Sequence, residues 1–446
     1  MKQNEQNSKN LINEIKEKAN TNIKKKEKEE EIEKEINEKI NEDQPKKKKH
    51  KRKKTKSLFP YQNNNIIIEE DEKTKIEKEI KKNEKILNKL EFGEFEVIQN
   101  LTKSIVNYRG DNTFIVFISI NNILCLIYSN KREDKNNSII SYNIIDYKKI
   151  CEIPNAHNED ITNFRHYFDK NNRKDLILSV SYKDNNIRLW NINDVQLLIS
   201  INNINRHGFL KSACFLNFKN ELFILSSNYS HSENADPIKV YDTFGNKVKE
   251  INSDNNHILF IDKYYDTNLS ITYIITGHYG YVKSYDYNNN KKYHKYKENK
   301  KIDNYEHYSV IIKNNEDIIK LIETSRNSEI RIWDFHSKEL LSKIQVSENE
   351  NDSLYGISLF NNENLFVGCV NKIKFVDLEN EEVINTLIDY NYKVITIKTI
   401  NHPKYGNCLV SQDLYDGQIK LWVNKINKYK YLIDELYKKL QELEEN

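Results

Sequence analysis

The chain has 446 residues, with 70 Lys and Arg against 67 Asp and Glu and a net charge of +3, a length that suits one large repeat domain or two ordinary ones. Five scattered cysteines (Cys125, Cys151, Cys214, Cys369, Cys408) form no Cys-x-x-Cys pair, which argues against a disulfide framework or a zinc site and for buried reduced thiols. The absence of an apolar leader and of any 18-residue uncharged apolar run leads us to expect an intracellular protein with no membrane span.

Residues 1–57 are nearly all Lys, Glu, Asn and Ile and carry about seven surplus positive charges. Such a segment buries too little apolar surface to offset its conformational entropy, so a disordered tail is expected. Ile32, Ile36 and Ile40 have the spacing of a transient helix. After Pro45 comes a run of nine basic residues in eleven: Lys46, Lys47, Lys48, Lys49, Lys51, Arg52, Lys53, Lys54 and Lys56. It reads as a nuclear or nucleolar localisation signal, or as an RNA-binding patch, against the plain alternative of a solvated tail. Residues 58–93 read as a linker, in which Ile76, Ile80, Leu87 and Leu90 predict a short amphipathic helix over 76–90.

From about Phe92 the texture changes to short β-branched and aromatic runs between Asn/Asp-rich loops, including 113–120, 124–128, 176–181, 221–226, 270–276 and 365–370. This predicts an all-β architecture. One strand type recurs seven times, at 139–143, 187–191, 238–242, 282–286, 330–334, 373–377 and 419–423. Its first residue is β-branched each time. Its fourth is Tyr142, Trp190, Tyr241, Tyr285, Trp333, Val376 and Trp422, at intervals of 48, 51, 44, 48, 43 and 46 residues. A period in the forties is a mark of four-stranded propeller blades. The second residue, usually Lys or Arg, is expected to face solvent or a blade edge. The large fourth residue supplies area to bury between blades, and the Asp or Asn after it can cap the next turn. Fourth, outer strands are expected at 149–153, 196–200, 248–251, 339–344 and 382–387.

The segments Ile-Arg-Ile-Trp-Asp (330–334) and Ile-Arg-Leu-Trp-Asn (187–191) resemble the end of the WD repeat. The resemblance spans roughly residues 94–424 and implies an all-β, seven-bladed WD-repeat β-propeller over 94–427. The family places a His before the first strand of a blade and an Asp six residues before the Trp, joined to a strand Ser or Thr and to the Trp by hydrogen bonds. Carried onto this chain, that network takes His157, Ser181, Asp184 and Trp190 in the second repeat. It takes His307, Thr324, Asn327 and Trp333 in the fifth, and Ser411, Asp416 and Trp422 in the seventh, with Tyr392 at the place of the His. Their recurrence points to structural hydrogen bonding rather than to a metal or catalytic set, and no phosphate loop, nucleophile elbow or zinc motif accompanies them.

In WD-repeat proteins the loops joining outer to inner strands, and second to third strands, surround one mouth of the central channel. Aromatic and Arg residues there make good interface anchors, which singles out Tyr182, Arg206, Tyr229, Tyr279, Arg326, Tyr392 and Tyr415. Members of that family usually complete the last blade with an N-terminal strand, for which 94–101 is placed, with residues 428–444 competing for the role. Residues 428–446 read as an amphipathic helix through Leu432, Leu436, Leu440 and Leu443, suited either to a partner helix or to packing on the ring.

The reading is a non-enzymatic scaffold that binds proteins or peptides, without cofactor, metal or membrane, and with nucleic acid reached only through the basic tail. A nuclear ribonucleoprotein or ribosome-assembly factor is the alternative. A cullin-type ubiquitin-ligase receptor is the lesser one: Asp184, Ile187, Leu189 and Trp190 begin its box, but Asn191 and Asn193 replace the Asp and Arg that complete it.

Overall fold

Alternating β-branched and polar residues commit the chain from Phe95 onward to short strands, each bounded by Asn, Asp or Gly turns. The computed structural model describes residues 64–103, 113–131, 137–202, 204, 209–227, 229, 237–252, 257–289, 293–298, 306–314, 318–325, 327–349 and 352–445. Two units divide at Ile68 and Glu69, and every strand lies in the second. The basic run 46–56, Arg206 and Arg326 lie outside the described residues.

The described residues begin with α1 (Asn64–Leu87) and β1 (Phe95–Lys103). Five four-stranded antiparallel sheets follow. The first holds β2 (Phe114–Ile118), β3 (Leu124–Lys131), β4 (Asn137–Asn143) and β5 (Lys148–His157). The second holds β6 (Ile161–Asp169), β7 (Lys174–Ser181), β8 (Asn186–Asn191) and β9 (Gln196–Ile201). The third holds β10 (Ala213–Phe218), β11 (Glu221–Ser226), β12 (Ile238–Tyr241) and β13 (Lys247–Ile251). The fourth holds β14 (Phe260–Asp266), β15 (Ile271–Gly277), β16 (Val282–Asp286) and β17 (Tyr293–Tyr296), and the fifth β18 (His307–Asn314), β19 (Ile319–Ser325), β20 (Glu329–Asp334) and β21 (Leu340–Gln345).

The remaining strands are β22 (Ile357–Leu359), β23 (Asn364–Gly368), β24 (Val370–Asp377), β25 (Glu382–His402), β26 (Gly406–Asp413) and β27 (Gln418–Asn424), and the chain ends in α2 (Lys425–Glu445). These strands form a seven-stranded sheet in the order β1-β27-β26-β25-β24-β23-β22. The 21-residue β25 serves twice. Its first part pairs with β24, and Val394–His402 pairs with β26. It is thus the outer strand of one set of four and the first strand of the next. The N-terminal β1 completes that last set against β27, with Phe95 opposite Asn424.

All seven repeated segments are third strands of their sets, at β4, β8, β12, β16, β20, β24 and β27. Seven hydrophobic clusters fill the spaces between neighbouring sets, and each packs the fourth residue of one repeat: Tyr142, Trp190, Tyr241, Tyr285, Trp333, Val376 or Trp422. Burying a side chain of this size stabilises by about 1.5–3 kcal/mol. The Asn or Asp after it caps the following turn: Asn143, Asn191, Asp242, Asp286, Asp334 and Asp377 each accept the N–H two residues on, at 2.8–3.2 Å.

A second regularity was not visible in the sequence. The outer strand bulges opposite the third and fourth residues of the repeat in six sets. The extra residue is Ile98, Ile150, Leu198, Val248, Leu341 or Ile384, always aliphatic. A bulge sharpens the local twist and lets the outer strand bend around the large fourth residue.

First strands of successive sets neighbour one another in order: β2 with β6, β6 with β10, β10 with β14, β14 with β18, β18 with β22, β22 with β25, and β25 with β2. Thr113 ties the last of these contacts, its hydroxyl 2.8 Å from that of Thr396 and 2.5 Å from Gln412 Oε1.

The expected helix over 76–90 is longer and starts earlier. The C-terminal helix touches both its neighbours: its first turns meet the strands, where Lys428 pairs with Glu96 and the Tyr431 ring packs on Tyr405 at 5.4 Å, and farther along α1 and α2 run antiparallel beside each other. Lys73 Nζ meets Glu444 at 2.7 Å, the Tyr437 hydroxyl donates to Glu84 at 3.0 Å, and Ile80, Asn83 and Ile433 are buried. The pairing is dictated by β1 and β27, from whose adjacent ends the two helices depart. Among the described residues no helix is long and apolar enough to cross a membrane.

Candidate interaction surface

Three of the sets carry a tryptophan in the repeated strand, and each indole N–H is satisfied by the second strand. Trp190 donates to Ser179 Oγ at 2.8 Å, Trp333 to Glu323 Oε1 at 3.0 Å, and Trp422 to Ser411 Oγ at 2.8 Å. A third group closes each bridge. It is His157 Nε2 on Ser179 at 2.8 Å, His307 Nδ1 on Glu323 at 2.7 Å, and the Tyr390 hydroxyl on Ser411 at 2.7 Å. All of these side chains are buried, and burial is the main cause of a His157 pKa below the ordinary value for histidine. Asp184 stands 3.6 Å from His157 Nδ1 and accepts the amides of Asn158 and Glu159 at 2.9 and 3.3 Å.

Five residues assigned to these bridges by resemblance lie elsewhere. Ser181 is buried with its hydroxyl unpaired among the described residues, and Ser179 holds its place. The reason is register: Trp190 sits opposite Ile177, and its N–H reaches the diagonal neighbour two residues on, which is Ser179. The same diagonal selects Glu323 rather than Thr324, whose hydroxyl donates to Tyr355 O at 2.5 Å. The Asn327 amide donates to the Ser325 hydroxyl at 2.6 Å, and Asp416 is reached by Asn391 at 3.4 Å. Tyr390, not Tyr392, takes the place of the histidine in the last set; Tyr392 is exposed and packs on Tyr415.

Four of the six second-position cations do not face solvent, while Arg188 and Lys374 are half-buried. Lys239, Lys283, Arg331 and Lys420 are buried. Arg188 donates to Ala156 O, Lys239 to Ile204 O and Lys420 to Asp389, while Arg331 Nε lies 3.1 Å from Glu298 Oε1. Each therefore clasps the crossover segment that leads into the first strand of its own set. In the fourth set Lys283 instead lies over the Tyr293 ring at 3.7 Å.

At this same end of the sheets three of the predicted tyrosines, Tyr182, Tyr229 and Tyr279, join a belt, while Tyr392 and Tyr415 pack on each other. The Tyr182 ring stacks on Phe209 at 4.7 Å, and Lys211 Nζ lies over both Tyr182 and Tyr229 at 5.5 and 5.6 Å. His257 packs between Tyr229 and Tyr279, at 4.9 and 5.3 Å. The Tyr229 and Tyr279 hydroxyls are 3.4 Å apart. Tyr279 donates to Glu306 Oε1 at 2.7 Å and Tyr308 to the other oxygen. Tyr308 then packs on Tyr355 at 5.0 Å, over which Lys393 Nζ lies at 5.7 Å. Burial, followed by the hydrogen bonds to Tyr229 and Glu306, holds the Tyr279 hydroxyl protonated well beyond its usual range. Phe209, His257, Glu306, Tyr308 and Tyr355 were not foreseen. Phe209 and Tyr229 meet through an isolated β-bridge, as do Tyr279 and Glu306, and such long-range pairs leave no local pattern.

A cavity of about 430 Å³ opens between first strands and is lined in part by Arg165, Asp262, Tyr308 and Lys398. No group of three or more His, Cys, Asp or Glu side chains able to hold a metal occurs among the described residues. The five cysteines are free, and burial pushes the thiols of Cys125 and Cys408 up to about 11 and about 12. No protein-family model matches the sequence, and no curated protein matches it.

Proposed function

We propose that the chain is a seven-bladed β-propeller of the WD-repeat kind and a non-enzymatic scaffold, holding a protein or peptide partner on the end that carries the tyrosine belt. The belt carries the reading: side chains from Tyr182 to Tyr355 link in sequence across five sets, by ring packing and through Lys211 and Glu306, with Phe209 exposed. Rigid aromatic side chains with polar tips bind with little entropy loss and make strong anchors. What supports the ring is the order of first-strand neighbours, which returns from β25 to β2, and the seven clusters built on one repeated position. Affinity purification with mass spectrometry would compare the full chain, residues 93–446, and 93–446 carrying Phe209→Ala and Tyr279→Ala. The expected result is a partner retained by 93–446 and lost with the double substitution. A partner that follows residues 1–92, or that ignores the two substitutions, refutes the reading.

The basic run favours a second reading, a nuclear ribonucleoprotein or ribosome-assembly factor. Deleting 46–56 should then move the protein out of the nucleus and reduce co-purifying RNA; no change in either refutes it. The ubiquitin-ligase reading has less behind it, because Asn191 and Asn193 have structural duties: Asn191 binds Asp194, and Asn193 caps the Asp175 amide at 2.8 Å.

A further inference from the structure

Outer strands expose unpaired N–H and C=O groups, and proteins normally guard such edges with charges, bulges or proline. Six of the seven outer strands here carry charged residues: Glu96 in β1, Lys148, Lys149 and Glu152 in β5, Lys247, Lys249 and Glu250 in β13, Lys295 in β17, Lys343 in β21, and Glu382 and Asp389 in β25. The seventh, β9, reads Gln-Leu-Leu-Ile-Ser-Ile and has none. It is the edge of its sheet, with only β8 beside it. Leu197 and Leu198 are 42% and 39% exposed, and Val195, in the turn before them, 40%.

The neighbouring turn extends this patch. Gly245 has φ +87° and lies against Ile199 and Ile201; a Cβ there would stand 3.1 Å from Ile199 Cγ2. A side chain at 245 is thus disfavoured by conformation and would crowd the Ile199 methyl. The close approach leaves Phe244 83% exposed beside β9. A cavity of about 270 Å³ runs between the two sheets under Leu198, Leu189 and Leu222.

We propose that β9 pairs antiparallel with β9 of a second copy, giving a two-fold symmetric dimer. Charge decides the occupant. A two-fold places an edge against itself, so any lysine on it comes near its own copy. Self-pairing through β5 or β13 would bring Lys148 and Lys149, or Lys247 and Lys249, together. Self-pairing through β9 sets Leu and Ile against Leu and Ile with no like-charge contact. The bulge at Leu198 limits the number of ladder hydrogen bonds, so the association is weak and concentration-dependent.

Sedimentation velocity on the full chain, over a concentration series reaching about 100 µM, tests this. The weight-average mass should rise toward two chains, and exchange of the 196–201 amides should slow in parallel. Ser200→Lys alters an exposed position, removes no apolar contact, and should lower the association constant at least about ten-fold. Leu341→Lys, at the equivalent bulge of β21, should leave it unchanged. A strictly monomeric wild type overturns the proposal and leaves the edge to a strand of a different chain. So does a dimer that Ser200→Lys does not weaken, or one that Leu341→Lys weakens equally.

Discussion

Each indole nitrogen of Trp190, Trp333 and Trp422 is buried, and a buried donor left unpaired costs about 1–3 kcal/mol. Ser179→Ala should therefore lower unfolding free energy by about 2 kcal/mol, because both Trp190 and His157 lose a partner. Ser181→Ala, whose hydroxyl bonds to nothing described, should cost less than about 0.5 kcal/mol in the same urea titration. The tryptophans were legible in the sequence, but the serine that serves Trp190 was not. Ser179 and Ser181 are equivalent in type, face and neighbourhood, and only the register of β7 on β8 separates them.

Asp413 offers a second test at this scale. Burial is the main reason its pKa is raised to about 6. Its folded form binds a proton more readily than the unfolded chain between about pH 3.9 and 6. Its relative contribution is thus favourable in acid and is lost as pH rises through 6. Asp413→Asn keeps an oxygen for the Gln418 amide. It should raise unfolding free energy by about 1–2 kcal/mol at pH 8 and leave it unchanged at pH 3.5. His157 and His166 act in the opposite sense. Burial holds both below the ordinary value, so the stability of the folded state declines as pH falls below about 6.5.

At the scale of elements, the repeated strand was the most readable part of the chain because one five-residue pattern fixes a face, a turn cap and an inter-sheet contact together. The bulges were hidden. An extra aliphatic residue such as Leu198 or Val248 reads as one more apolar position in a strand, and only the partner's register reveals it as unpaired. The helix pair was hidden for a similar reason. Each amphipathic stripe is plain alone, but their meeting depends on β1 reaching β27 from more than 300 residues away. Ile433→Asp should separate α1 from α2, since it places a charge at a buried position of their contact. Limited proteolysis should then cut within 425–445 at least about ten-fold faster while the sheets keep their melting temperature. A loss of sheet stability of the same size would mean that the helices brace the strands rather than ride on them.

At the scale of the whole molecule, seven apolar clusters link each set of strands to the next, and Leu101 of β1 belongs to the one that joins the last set to the first. Removing residues 1–103 exposes β27 as an apolar edge beside this cluster. The truncated protein should form soluble oligomers or precipitate at concentrations where 64–446 stays dispersed, as light scattering would register. The pairing of β1 with β27 also orders events in time. A ribosome releases β1 first among the strands and β27 last, and at roughly 5–20 residues per second the interval is of the order of a minute or less. Throughout it β1 has nowhere to dock, and its amides stay hydrated while the middle sheets assemble behind it. The earliest-made strand is then the last to be seated, so a truncated translation product lacking β27 remains marked by a dangling, unfilled place.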